Sequence, residues 1–120
     1  MAHILVVDDE PDLRNFIAAE LRDAGYHVDT ASNGVEAILQ AIEGGLDAVV
    51  MDVRMPHLDG LDALRILRRL APALPVVMCT GGTGRGDMLE SNRLGAITCL
   101  AKPVVIERLR EVLQQALGHG

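Results

Sequence analysis

The chain has 120 residues, a net charge of −6 and a hydrophobic content of 49%, so it can form one domain with a substantial core. The acidic balance argues against nucleic acid or anionic membrane as direct partners. The aromatic content of 2% also removes the stacking platforms that single-stranded nucleic acid requires. No apolar run approaches the roughly 20 residues of a membrane span, and no signal peptide is evident. We therefore expect a cytoplasmic domain over residues 1–120, with reduced thiols at Cys79 and Cys99.

Short apolar runs alternate along the chain with longer segments of helical periodicity. Strands are predicted at residues 3–7, 26–31, 47–51, 76–79 and 97–101. Helices are predicted near residues 12–24, 33–43, 61–70, 87–94 and 103–117. Because crossovers between parallel strands are right-handed, this order predicts an α/β domain: a doubly wound, five-stranded parallel sheet with helices on both faces.

The helical spacing also predicts which side of each helix is buried. The second helix is expected to bury a stripe formed by Val35, Ile38, Leu39 and Ile42. Pro103 is expected to open the last helix, since proline is well tolerated at the first helical position.

Polar side chains follow four of the predicted strands, where the loops of a parallel sheet leave at one edge. They are Asp8, Asp9, Asp52, Thr80 and Lys102. Groups at the carboxyl ends of separate parallel strands converge, so three carboxylates would repel one another unless a cation such as Mg²⁺ lay between them. Asp52 could then act as a nucleophile toward phosphorus, with Lys102 and Thr80 contacting the phosphoryl oxygens. Each residue alone has a plainer explanation as a helix cap or turn residue; the set carries the interpretation.

The motifs around these residues resemble one known family. They are Val6-Val7-Asp8-Asp9-Glu10, Met51-Asp52-Val53-Arg54-Met55-Pro56 with Asp59-Gly60, Thr80-Gly81, Gly95-Ala96 and Lys102-Pro103. Together they resemble the receiver domain of bacterial two-component response regulators, of the type found in chemotaxis regulators. The resemblance covers essentially the whole chain and implies a flavodoxin-like (βα)5 fold with strand order 2-1-3-4-5.

The resemblance implies a role for each matching residue. Asp52 is expected to accept a phosphoryl group from the phosphohistidine of a sensor histidine kinase or phosphotransfer protein. Asp9, Asp52 and the backbone carbonyl of Arg54 are expected to ligate Mg²⁺ directly, and Asp8 through water. Such a domain catalyses its own phosphorylation and its own dephosphorylation, and it is not a conventional turnover enzyme.

The resemblance also implies a conformational switch. Thr80 and Lys102 are expected to bind the phosphoryl oxygens, and movement of Thr80 would rearrange the face made by the fourth helix, fifth strand and fifth helix. That face would contact a downstream protein, an output domain or a second copy in a homodimer. The family usually has an aromatic residue where this chain has Cys99, so we expect the output to depend on the glycine-rich segment 81–86 and the fourth helix. Alternatively, Cys99 only fills space.

Three other functions would use some of the same residues. A phosphatase of the haloacid dehalogenase class would need a second acid where Arg54 stands. A flavin-binding module would want aromatic residues in the loops, whereas Phe16 and Tyr26 lie elsewhere. A receiver that works without phosphorylation would signal unchanged after Asp52→Asn. The sequence alone leaves open whether the chain is a single-domain regulator or a receiver from a longer protein.

Overall fold

Five parallel strands form one sheet, and a helix follows each strand along the chain. The computed structural model describes residues 1–81 and 85–118. The strands are β1 (His3–Val7), β2 (His27–Ala31), β3 (Ala48–Asp52), β4 (Val76–Thr80) and β5 (Thr98–Ala101). The helices are α1 (Pro11–Asp23), α2 (Gly34–Glu43), α3 (Gly60–Leu70), α4 (Arg85–Arg93) and α5 (Ile106–Ala116). Within those described ranges, no helix has the length and apolar character that crossing a membrane requires.

The strand order is β2-β1-β3-β4-β5, and all four neighbouring pairs are parallel. The predicted doubly wound sheet and its implied order are therefore confirmed. β3 and β4 are buried along their whole length, as expected for central strands that helices cover on both faces. Each of these two strands extends to include the polar residue at its carboxyl end, Asp52 in β3 and Thr80 in β4.

Side chains alternate across the sheet and build two core layers. Leu5 and Met51 point to the layer covered by α2 and α3, where Leu64 is also buried. Ile4 and Val50 point to the opposite layer. That layer is completed by buried residues of α1 and α5: Ile17, Ala18, Leu21, Ile106, Leu109, Val112 and Leu113. The sheet is thereby held rigid from both sides, which fixes the positions of its strand ends.

The predicted buried stripe of α2 is wrong for most of its residues. Val35, Leu39 and Ile42 are 50%, 56% and 62% exposed, whereas Gly34 and Ala37 are buried. A Cβ atom added at Gly34 would lie 2.8 Å from a backbone oxygen in the β3–α3 loop and 3.2 Å from a side-chain carbon of α3. The small-residue side of α2 faces inward because its neighbours lie too close for larger side chains.

The last helix does not begin at the proline. α5 begins at Ile106, with Val105 as its N-terminal flanking residue in an extended conformation. Pro103 lies in the preceding loop and follows a cis peptide bond with Lys102. The predicted helix start is therefore three residues too early.

Candidate functional site

Three carboxylates gather at the carboxyl edge of the sheet. Asp8 follows β1 directly and Asp52 ends β3, and these two strands are neighbours. One carboxylate oxygen from each of Asp8, Asp9 and Asp52 lies within 4.8 Å of the other two. Asp8 and Asp52 are 3% and 6% exposed, whereas Asp9 is exposed. This cluster, called the acidic pocket below, therefore has two buried carboxylates and one exposed carboxylate.

A single ammonium group bridges the two buried carboxylates. Lys102 Nζ lies 3.1 Å from Asp52 Oδ2 and 3.3 Å from Asp8 Oδ2. The lysine follows β5, and its backbone N–H donates to the Thr80 carbonyl at 2.8 Å, which anchors it to the end of β4. Burial disfavours the charge on Lys102, but its contacts with Asp52 and Asp8 outweigh burial and raise its pKa. The ammonium therefore stays charged throughout the neutral range.

The pKa of Asp52 is raised above its usual range. Burial is the largest cause, and the nearby charge of Asp8 adds to it. Lys102 and the backbone N–H of Arg54, which donates to Asp52 Oδ1 at 3.4 Å, act in the opposite direction without cancelling the increase. One cation shared between two buried carboxylates thus leaves negative charge uncompensated.

The uncompensated negative charge of the acidic pocket favours the binding of a hard divalent cation. The three side chains offer only carboxylate oxygens, which Mg²⁺ prefers and softer metals do not require. A bound cation would offset the mutual repulsion of Asp8 and Asp52 in a way that Lys102 alone does not. The donor chemistry of the pocket is therefore suited to Mg²⁺.

A glycine lets the loop after β3 close tightly against Asp52. A side chain added at Gly60 would lie 2.0 Å from the backbone oxygen of Asp52. The Gly60 N–H donates to the carbonyl of Val53 at 2.7 Å, and Asp59 caps α3 by accepting from the N–H of Asp62 at 3.0 Å. The α3 N-terminus is thus fixed against the strand end that carries Asp52.

Thr80 is engaged by α4, a contact the sequence analysis did not anticipate. Thr80 is 1% exposed, and its hydroxyl donates to Asp87 Oδ2 at 3.1 Å. The second oxygen of Asp87 accepts from Arg54 Nη2 at 2.8 Å. Asp87 therefore joins the end of β4 to the loop after β3. An acidic residue in the first turn of a helix is ordinarily explained by the helix dipole, so its position in the sequence did not distinguish it.

The two cysteines lie in opposite core layers, and both are free thiols. Burial raises the pKa of the Cys79 thiol to about 12. Cys99 is half-buried next to α4; burial raises its pKa as well, and the charge of Asp87 adds to that increase. Cys99 thus lies in β5, the strand that packs against the helix carrying Asp87. Residues 82–84 of the glycine-rich segment lie outside the described residues, so the expectation about that segment stays a prediction.

Known proteins resemble this chain in both sequence and fold. The sequence model of the response regulator receiver domain matches residues 4–114. The transcriptional regulatory protein ZraR of Salmonella typhimurium is 38% identical over 116 residues, which are 97% of this chain but 26% of ZraR. The chain thus spans about a quarter of the length of that relative.

Solved structures match over nearly the full length of both chains. A receiver domain protein from Clostridium thermocellum superposes with a TM-score of 0.91 at 32% identity, covering 98% of this chain and 94% of that one. The chemotaxis protein CheY4 of Vibrio cholerae gives a TM-score of 0.89 at 34% identity, covering 98% and 99%. Sequence, fold and acidic pocket agree: this chain belongs to the response regulator receiver domains of two-component signal transduction systems.

Proposed function

We propose that residues 1–120 act as one receiver domain whose phosphoacceptor is Asp52. The observation that carries this proposal is the sharing of one ammonium group, Lys102 Nζ, by the buried carboxylates of Asp52 and Asp8. A carboxylate held at a sheet edge with a raised pKa and a fixed cation beside it is suited to attack phosphorus. The family membership supports the same assignment.

Asp8, Asp9, Asp52 and the backbone carbonyl of Arg54 would hold a Mg²⁺ ion. When bound, the ion neutralises the acidic pocket and stabilises charge on the transferring phosphoryl group. The clustering of the three carboxylate oxygens within 4.8 Å supports this assignment.

In the proposed reaction, an oxygen of Asp52 attacks the phosphorus of a phosphohistidine. The new O–P bond forms as the P–N bond breaks, and the electron pair returns to the imidazole of the donor. Lys102, already between Asp52 and Asp8, would contact one phosphoryl oxygen, and the Thr80 hydroxyl would donate to another. Attack of water on the phosphorus would later release phosphate and restore the carboxylate. Both steps belong to the domain itself and do not make it a conventional turnover enzyme.

The proposed switch begins at Thr80. Its hydroxyl would have to leave Asp87 in order to donate to the phosphoryl group, which couples phosphorylation to α4. We propose that the responding face is the one formed by α4, β5 and α5; exposed apolar side chains occur on α4, at Leu89 (63%), and just before α5, at Val105 (59%). A downstream protein, an output domain or a second copy of the chain would bind this face.

The donor is expected to bind elsewhere on the domain. Asn15 and Ala19 are exposed on α1, which follows the strand that ends at the acidic pocket. A sensor histidine kinase or a phosphotransfer protein would contact this helix, and no direct contact with nucleic acid or membrane is proposed. These partners place the proposed function in the cytoplasm.

Phosphoryl incorporation from phosphoramidate, with and without Mg²⁺, tests the proposal. We expect up to one phosphoryl group per chain in the presence of Mg²⁺, little incorporation after chelation, and none in Asp52→Asn. Asp23→Asn, at the exposed end of α1, is the matched control and should behave like the unmodified chain. Incorporation that survives both chelation and Asp52→Asn would contradict the proposal.

A further inference from the structure

A second group of potential metal ligands lies at the opposite edge of the sheet. His3 and His27 begin β1 and β2 and are direct register partners in that parallel pair. Asp29 lies two residues further along β2, so its side chain points to the same face of the sheet. His3 Nε2 is 2.6 Å from Asp29 Oδ2, and His27 Nε2 is 3.9 Å from the same oxygen. One carboxylate oxygen thus makes a hydrogen bond with His3 and lies near the ring of His27.

The backbone fixes this His–Asp cluster (His3, His27 and Asp29) in place. The His3 N–H donates to Asp47 Oδ2 at 2.8 Å, and the His27 N–H donates to the carbonyl of Ala2 at 2.9 Å. The ring centroids of the two histidines are 4.5 Å apart in an edge-to-face arrangement. The backbone positions of the three residues are therefore set by the pairing of β1 with β2, and Asp47 of the α2–β3 loop adds a contact to His3.

We infer that the His–Asp cluster binds one divalent ion of the zinc class. One donor atom from each of the three residues lies within 4.8 Å of the others. Zinc takes imidazole nitrogen and carboxylate oxygen at about 2.0–2.2 Å, so modest side-chain rotations would bring all three into its coordination sphere. The side chains of His3, Asp29 and His27 are 26%, 49% and 60% exposed, which leaves an open side for entry of the ion and for a bound water.

The donor types separate this site from the acidic pocket. Two imidazole nitrogens favour zinc, cobalt, nickel or copper, whereas the oxygen-only set of Asp8, Asp9 and Asp52 suits Mg²⁺. The two sites lie at opposite ends of β1, roughly 16 Å apart for a five-residue strand. An ion at the His–Asp cluster would fasten β2, the edge strand, to β1. It would therefore stabilise the folded chain by mass action without entering the phosphoryl chemistry.

Zinc titration of the untagged chain tests this inference, with calorimetry for affinity and thermal unfolding for stability. We expect one zinc ion per chain and a Tm that rises with zinc concentration. His27→Ala and Asp29→Asn should each weaken zinc binding by about tenfold or more, a loss that in metal sites follows even from changing a residue hydrogen-bonded to a ligand. His27→Ala alters an exposed side chain, and Asp29→Asn preserves shape, so at least one should remain folded.

Two control variants distinguish this cluster from other zinc ligands. His57→Ala removes an exposed histidine of the β3–α3 loop, and Asp52→Asn alters the acidic pocket. Neither should change the affinity of the zinc-binding event that His27→Ala weakens. Co²⁺ provides an independent readout, because four- or five-coordinate Co²⁺ absorbs visible light much more strongly than the hydrated ion, and this added absorption should be lost in His27→Ala. Absence of zinc binding, or equal affinity in His27→Ala, Asp29→Asn and the unmodified chain, would overturn the inference.

Discussion

The hydroxyl of Thr80 donates to Asp87 Oδ2 at 3.1 Å. The side chain proposed to bind the phosphoryl group is therefore held by α4 in the unphosphorylated chain. The other oxygen of Asp87 pairs with Arg54, two residues after the proposed phosphoacceptor. A phosphoryl group on Asp52 and the carboxylate of Asp87 would therefore compete for the same hydroxyl. Such competition would give a physical route from phosphorylation to the α4 surface without an aromatic residue in β5.

Asp87→Ala should shift the resting domain toward its phosphorylated conformation. The substitution removes the carboxylate that accepts the hydrogen bond from Thr80. A hydrogen bond to a charged group contributes about 1.5–3 kcal/mol to stability. That range is an upper limit for this hydrogen bond, because Asp87 is partly exposed. We expect the amide NMR shifts of α4 and β5 to move part of the way toward those of the unmodified chain with Mg²⁺ and beryllofluoride. Asp62→Ala is the control, because it removes an exposed carboxylate that pairs with a different arginine on α3. If the amide NMR shifts of the unphosphorylated domain are unchanged in Asp87→Ala, Asp87 is not part of the switch.

Asp52→Asn should raise the Tm of the metal-free chain by a few degrees at neutral pH. The pKa of Asp52 is raised on folding, mainly by burial, so the folded state disfavours its charged form. The ionised carboxylate therefore destabilises the fold at a pH above its raised pKa, and this penalty disappears as the pH falls below 3.8, the ordinary value for Asp. In thermal melts, the increase in Tm caused by Asp52→Asn should therefore be present at neutral pH and disappear as the pH falls below 3.8.

Mg²⁺ should reduce or reverse that gain. The ion would stabilise the unmodified chain by binding its three carboxylates, and it should bind more weakly to Asp52→Asn. Melts at several Mg²⁺ concentrations measure the difference. A metal-free Asp52→Asn chain that is less stable at neutral pH than the unmodified chain would show that Lys102 already neutralises the pocket.

Gly60→Ala should destabilise the domain. The added methyl group would lie 2.0 Å from the backbone oxygen of Asp52, so the start of α3 would have to move away from β3. We expect a loss in the free energy of unfolding of about 1–3 kcal/mol, as for other overpacked sites, measured by urea denaturation. Gly86→Ala in α4 meets no atom within 4 Å and should instead stabilise by about 0.5–1 kcal/mol. Equal effects of the two substitutions would contradict this account of the loop.

The sequence predicted the sheet and the convergence at its edge because both depend on local pattern. Apolar runs ending in Asp52 and Thr80 identify strands and their carboxyl ends, and the family resemblance supplied the strand order. The pairing of Asp87 with Arg54 joins residues 33 positions apart, so periodicity does not reveal it. The buried side of α2 was mispredicted because the close approach of α3 selects Gly34 and Ala37 over larger apolar residues.

The two cysteines should differ in reactivity toward a thiol reagent. Cys79 is 3% exposed and has a pKa of about 12, so it has almost no thiolate at pH 8 and should react only after unfolding. Cys99 is half-buried and should react measurably in the folded chain, although its raised pKa slows the reaction. Mass spectrometry after timed alkylation distinguishes the two sites. If Cys99 reports the switch, beryllofluoride with Mg²⁺ should change its rate and leave Cys79 unreactive; an unchanged Cys99 rate would favour a space-filling role.

Locating the phosphoryl group along the chain directly tests whether Asp52 is the phosphoacceptor. The chain would be phosphorylated in the presence of Mg²⁺ and reduced with borohydride, which converts an aspartyl phosphate to homoserine, and then sequenced by tandem mass spectrometry. We expect homoserine at position 52, and none there when the phosphoryl donor or Mg²⁺ is omitted. Modification at Asp8 or Asp9, with position 52 unmodified, would contradict the assignment of Asp52 as the phosphoacceptor.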